Sequence, residues 1–309
     1  VKRMNMAGQG EPGSTAGGVM SPNTRGALLM MASMAAFTLN DACIKATDKA
    51  LPLFQLLTIR GVISTFLIFV LARHLGALRF DLSRRDWALV ALRSVSEIGA
   101  AYFFLTALLN MPLANVTAIL QVLPLTVTLG AALFFRDPLG WRRMVAILVG
   151  FGGMLLIVRP GPDGFSIDSL YALAAVGCVT ARDLATRRMS AEAPSMTVTL
   201  CASFSVLLFS AVASTGVDWQ PVDGRLALLL AGSSFFILGG YLFSVMVMRV
   251  GDVSFVAPFR YTGLLWALIL GYFVFGDWPS QLTLIGAAIV VATGVFTLYR
   301  ERRLARKSR

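Results

Sequence analysis

Histidine, cysteine and charge are all scarce in this chain of 309 residues. It has one histidine, His74, and three cysteines, Cys43, Cys178 and Cys201. The cysteines stand singly in apolar stretches, without the spacing that holds zinc, so no metal ligand is assigned. There is no phosphate loop ending in Gly-Lys-Ser/Thr and no H-E-x-x-H pair. That removes the signatures of an ATP-driven motor and of a zinc protease. No nucleophile–base constellation stands out, so no catalytic residue, no cofactor and no enzyme activity are expected. The run Gly8-Gln9-Gly10-Glu11-Pro12-Gly13 fits G-x-G-x-x-G. No strand leads into it and no helix opens after it, so the match is read as coincidence. Charged residues make up only 14% of the chain, against about 25% in soluble domains.

What fills the chain instead is apolar: 57% of its residues are hydrophobic and mean hydropathy is +0.74. A soluble fold has nowhere to put that much apolar surface, whereas a lipid bilayer accepts it. A membrane helix needs roughly 20 mostly apolar residues. Ten such stretches can be read: Arg25–Ile44, Pro52–His74, Asp86–Leu109, Pro112–Phe135, Trp141–Val158, Ile167–Met189, Ser195–Ser214, Arg225–Met248, Ser254–Phe275 and Gln281–Tyr299. Short connections between them suit a helical bundle whose backbone polar groups are satisfied within each helix. The expected fold is therefore an all-α membrane protein.

Lysine and arginine set the expected orientation. With the N-terminus on the cytoplasmic side, the outer segments hold only Lys45, Lys49, Arg159 and Arg225. Arg60, Arg93 and Arg260 lie inside spans, and the rest of the 27 basic residues fall in inner segments. Both termini are then cytoplasmic. This placement also accounts for the net charge of +11 without nucleic acid as a partner. Residues 1–24 are rich in Gly, Ser and Pro and are expected to form a disordered cytoplasmic tail rather than a cleaved signal peptide. Residues 301–309 form a short basic cytoplasmic tail.

The chain also repeats itself. A shift of 142 positions places Asp41 on Asp183, Lys45 on Arg187 and Pro52 on Pro194. A shift of 140 places Asp137 on Asp277 and Ala146 on Gly286. Each half, 25–160 and 161–300, holds five spans. Five is odd, so the second copy enters the membrane from the opposite side. Inverted repeats of this kind are a recurring plan of secondary transporters, with a solute site near the midplane between the halves.

The run Phe37-Thr38-Leu39-Asn40-Asp41-Ala42-Cys43-Ile44-Lys45, followed by Leu51-Pro52 and Leu57-Thr58-Ile59-Arg60-Gly61, resembles the first EamA repeat of the drug/metabolite transporter superfamily. So do Leu120-Gln121-Val122-Leu123-Pro124-Leu125 and Phe134-Phe135-Arg136-Asp137-Pro138, with Phe275-Gly276-Asp277-Trp278-Pro279 as the second-half counterpart. The family often has Glu where Asp137 and Asp277 stand. The resemblance spans about Arg25 to Arg300 and implies ten helices in two inverted five-helix repeats around a central cavity. Its flavour is similar to the proteobacterial group of riboflavin importers and S-adenosylmethionine uptake carriers. It implies a multi-pass protein of the bacterial inner membrane that moves a small metabolite by alternating access, riboflavin uptake first, coupled to protons or to an exchanged solute. S-adenosylmethionine uptake and export of amino acids or aromatic metabolites share the frame. From another class, a non-transporting scaffold or sensor subunit is the alternative.

Ionisable residues within spans are the leading site candidates, since each costs at least about 2.5–3.5 kcal/mol to insert. Arg93 and Glu97 are four apart and share one helix face; they either serve solute, proton or gate, or form a structural ion pair. Arg60 and Arg260 either touch solute or reach for helix ends and the interface. Asn40 and Asp41 with Lys45, and Arg182 and Asp183 with Arg187, could form mirror-image gates, one per face. Gln121 precedes Pro124, whose missing N–H disturbs the helix. Tyr102, Tyr241, Tyr261 and Trp266 could stack on a flat solute or simply pack. Trp87, Trp141 and Trp278 fall at span ends as interface residues.

Overall fold

The computed structural model describes residues 22–307 except 75, 77, 137–139, 160–165, 191 and 251–252, and no side chains at 245, 248–250, 253–254 or 301–307. Residues 1–21 of the expected N-terminal tail, the glycine-rich match within them and Asp137 lie outside the described residues, and residues 22–24 open the first helix. Twelve α-helices follow in order: α1 Pro22–Lys45, α2 Leu53–His74, α3 Arg84–Asn110, α4 Leu113–Leu120, α5 Leu123–Phe135, α6 Trp141–Val158, α7 Ile167–Arg188, α8 Ser195–Ala213, α9 Gly224–Val250, α10 Val253–Val256, α11 Thr262–Phe275 and α12 Gln281–Lys307. Among the described residues there is no strand.

Two expected spans are broken, each at a proline. The fourth bends between α4 and α5 at Gln121–Val122, with Pro124 in the first turn of α5. Lacking an N–H, proline disrupts a helix interior but fits a first turn. The ninth passes from α10 through a 3-10 turn, Ala257–Tyr261, that opens with Pro258 near its start, and then into α11. Only the first of these breaks is foreshadowed in the sequence reading. The half-helices α4 and α11 pack on each other.

Nine helices or joined helix pairs among the described residues are long and apolar enough to cross a bilayer. The tenth crossing, α7, has 22 residues but falls short on apolarity, because Asp168, Arg182, Asp183, Arg187 and Arg188 lie along it. Its ends are well defined. Ser166 caps it by accepting from the Ser169 N–H, as Ser83 caps α3 by accepting from the Asp86 N–H. Such caps satisfy amides that the first turn leaves without partners.

The packing shows the inverted repeat. Exchanging the halves turns the α1–α9 contact into α7–α3, and both are extensive. It turns α3–α8 into α9–α2, and α1–α11 into α7–α5; all four contacts form. The pairs α2–α8 and α6–α12 map onto themselves. The α6–α12 crossing is close because glycine lines it: a Cβ on Gly153 would sit 2.9 Å from the Gly286 carbonyl oxygen, and one on Gly286 would fall on the Gly153 carbonyl. Small residues that let backbones approach are the usual means of association between membrane helices.

Candidate functional site

A cavity of about 380 Å³ opens between the two halves. From the first half, α1 brings Asn40 and Asp41, α2 brings Arg60, α3 brings Arg93 and Glu97, and the α4–α5 break brings Gln121. From the second half, α7 brings Arg182, α9 brings Tyr241, and the turn before α11 brings Arg260 and Tyr261. A shift of 140 carries Gln121 onto Tyr261, so the two broken spans present corresponding positions to the same space.

The charges form two clusters. In the first, Arg60 Nη2 donates to Asn40 Oδ1 at 3.1 Å, and Asn40 Nδ2 donates to Asp41 Oδ1 at 2.8 Å. In the second, Arg182 Nη1 donates to Glu97 Oε1 at 3.3 Å and Arg182 Nε to Asp183 Oδ1 at 3.0 Å. Arg93 approaches Glu97 to 3.9 Å and donates to Thr186 Oγ1 at 2.8 Å. Glu97 and Arg182 belong to different halves, so their pair crosses the seam. Tyr241 lies within electrostatic reach of Arg60, Arg93, Glu97 and Arg182, and so joins the two clusters. Its ring meets Phe37 edge-on, with centroids 5.5 Å apart.

Several candidates sit elsewhere. Asp183 stands behind Arg182 and does not line the cavity. Tyr102 also stays off the lining and packs in an aromatic group with Phe54, Phe103 and Tyr171. Trp266 is likewise off it, with a buried indole N–H that finds no protein acceptor. Lys45 and Arg187, the bases of the expected mirror-image gates, each make a contact with an aromatic ring of the other half. Lys45 donates to the Met111 and Leu108 carbonyls at 2.7 and 3.4 Å, capping α3, and stands 5.6 Å over the Phe275 ring. Arg187 stands 5.7 Å over Phe135. Lys45 corresponds to Arg187 and Phe135 to Phe275, so each half holds the other by the same contact at opposite ends of the bundle.

Sequence reasoning missed Met34, Phe37, Ser64, Thr199 and Ser203, all of which line the cavity. Ser64 leaves one signal, a small polar residue inside an apolar span. The cavity wall combines aromatic faces with arginines and carboxylates held inside the bundle. It can therefore enclose a solute of modest size and orient its polar groups from both halves at once.

Known proteins are similar over most of this length. Residues 24–159 match the EamA-like transporter family. The chain is 27% identical over 289 residues to a riboflavin transporter of Vibrio cholerae, covering 92% of this chain and 96% of that one. It is 24% identical to an S-adenosylmethionine uptake transporter of Rickettsia prowazekii, covering 88% and 91%. It is 26% identical to the pseudopaline exporter CntI of Pseudomonas aeruginosa, covering 86% and 93%. A crystal structure of a protein at 19% identity superposes with a TM-score of 0.62, over 91% of this chain and 99% of that one, which supports the fold alone.

Proposed function

We propose that this chain, which carries an EamA-like transporter domain over residues 24–159 and is related to the drug/metabolite transporters, is an alternating-access carrier of a small metabolite in the bacterial inner membrane. The observation that carries this reading is the cavity at the seam, where Glu97 of one half pairs with Arg182 of the other. A site built from two inverted halves faces one side when they rock one way and the other side when they rock back. The repeats are assigned to 25–160 and 161–300, with both termini cytoplasmic in keeping with the distribution of Lys and Arg.

In this reading Arg60, Gln121, Tyr241, Arg260 and Tyr261 contact solute, and the Arg93–Glu97–Arg182–Asp183 and Asn40–Asp41 groups open and close around it. Coupling runs through a proton on Glu97 or through an exchanged solute. Riboflavin is the first solute to test, because a riboflavin transporter is among the relatives aligned over nearly the whole chain. Aromatic walls at Phe37, Phe104 and Tyr241 suit a flat ring. Uptake of S-adenosylmethionine or export of a metabolite remains the second reading, favoured by relatives of similar identity.

The test is uptake of labelled riboflavin by a bacterium that neither makes nor imports it, with and without this gene. Gene-dependent accumulation, competed by unlabelled riboflavin, is expected. No accumulation despite verified protein in the inner membrane removes riboflavin import and directs the search to the second reading.

A further inference from the structure

We infer that the solute taken by this cavity carries an anionic acceptor group, a carboxylate or phosphate, that docks on Arg260, with Arg60 adding positive charge to the same cavity. The inference rests on the carrier reading above and, because riboflavin carries no carboxylate or phosphate, favours the solutes of its second reading over riboflavin. Four arginines, Arg60, Arg93, Arg182 and Arg260, line the cavity against two acids, Asp41 and Glu97. Both acids are already engaged by the protein: Asp41 accepts from Asn40, and Glu97 is held by Arg182 and Arg93. Asp183 adds a third acid, but it is turned to Arg182 and off the lining.

The arginines are not answered in the same measure. Among the described residues neither Arg60 nor Arg260 makes an ion pair. Arg60 hydrogen-bonds the neutral oxygen of Asn40 and lies within electrostatic reach of Asp41 and Glu97 without an ion pair to either. The Arg93 Nε and the Tyr261 hydroxyl are buried without partners. Arg260 is exposed on the cavity wall. A guanidinium can only donate hydrogen bonds and stays charged. An acceptor that meets Arg260 in the cavity can therefore bring the negative charge that the lining acids do not supply. A carboxylate or phosphate does so through charge-assisted bonds.

The test uses pairs of ligands that differ in charge but hardly in size. Indole-3-acetate is compared with indole-3-acetamide, and 10-carboxymethylflavin with its carboxamide, for binding to the full chain in lipid nanodiscs. The carboxylate member of at least one pair is expected to bind about tenfold or more tightly, the value of one charge-assisted bond. Arg260→Gln is expected to erase that preference, and Arg260→Lys to keep part of it. Equal binding within both pairs, preference for the amides, or no binding by any of the four overturns the inference. So does a preference that survives Arg260→Gln together with Arg60→Gln. Riboflavin uptake by a protein with no carboxylate preference would leave the carrier reading standing and remove this one. A carboxylate preference without any solute movement would do the reverse.

Discussion

The pair between Glu97 and Arg182 matters most among single residues, because it ties one half of the chain to the other across the cavity. Their side chains are 18% and 23% exposed, and each has a second partner in Arg93 or Asp183. Arg182→Gln is expected to lower stability by roughly 1–3 kcal/mol, read as a lower thermal midpoint in detergent, because it leaves a buried carboxylate short of a partner. Glu97→Gln combined with Arg182→Gln should cost less than the two single losses together; strictly additive losses would contradict a direct pair. Glu97→Gln alone should abolish or decouple uptake while the protein still inserts, and unchanged uptake at every pH would remove Glu97 from transport. Glu97, Arg93, Arg60 and Arg260 were legible because a charge stands out in an apolar span. Tyr102 and Trp266 were not separable from Tyr241 and Tyr261 by sequence, since a helix that is apolar nearly all round does not reveal which face turns inward. Thr199 and Ser203 carried no signal either: Thr199 donates to the Ser195 carbonyl of its own helix and Ser203 bonds Thr65 on α2, roles that small hydroxyls fill throughout membrane bundles.

Among the elements, the crossing of α6 and α12 is a close contact between the halves, and it depends on the absence of side chains. Gly153→Ala sets a Cβ 2.9 Å from the Gly286 backbone oxygen and 2.8 Å from Ile289 Cγ2. It is expected to destabilise by about 1–3 kcal/mol through overpacking. Gly152→Ala, one residue away, meets nothing within 4 Å and should be neutral or stabilising by up to about 1 kcal/mol through helix propensity. Equal thermal midpoints for the two variants would contradict the close crossing. Hydropathy located nine of the spans, whereas α7, read as the tenth, falls short of the same measure because Arg182 and Asp183 weaken its apolar pattern. The bend at Gln121 was readable from Pro124, because proline removes a helical hydrogen bond. The break before α11 was not, although Pro258 stands there: its short 3-10 turn, Ala257–Tyr261, lies inside a stretch apolar enough to be read as one span. Nor did i,i+4 spacing reveal where Lys45 and Arg187 go. Spacing along one helix says nothing of a carbonyl or an aromatic ring offered by a neighbour, and here Lys45 takes the Met111 carbonyl and Arg187 the Phe135 ring.

For the whole molecule, ten crossings in two inverted halves bring both termini to one side of the membrane. Reporters fused to each end should therefore give the same cytoplasmic reading, and opposite readings would mean that α7 does not cross. The repeat itself was legible from a handful of matched residues, whereas the reciprocal helix pairing that encloses the cavity needed three dimensions. On the proposed reading that pairing makes a carrier rather than a pore, because one site is shared by two halves that open in turn. Counterflow separates the two directly. Proteoliposomes of the purified chain are loaded with unlabelled riboflavin and diluted into a trace of labelled riboflavin. A carrier returns labelled solute inward as unlabelled solute leaves, so the label should rise transiently above its equilibrium level and then decay. A monotonic approach to equilibrium, or no movement of label beyond that in empty liposomes, would contradict an alternating-access riboflavin carrier.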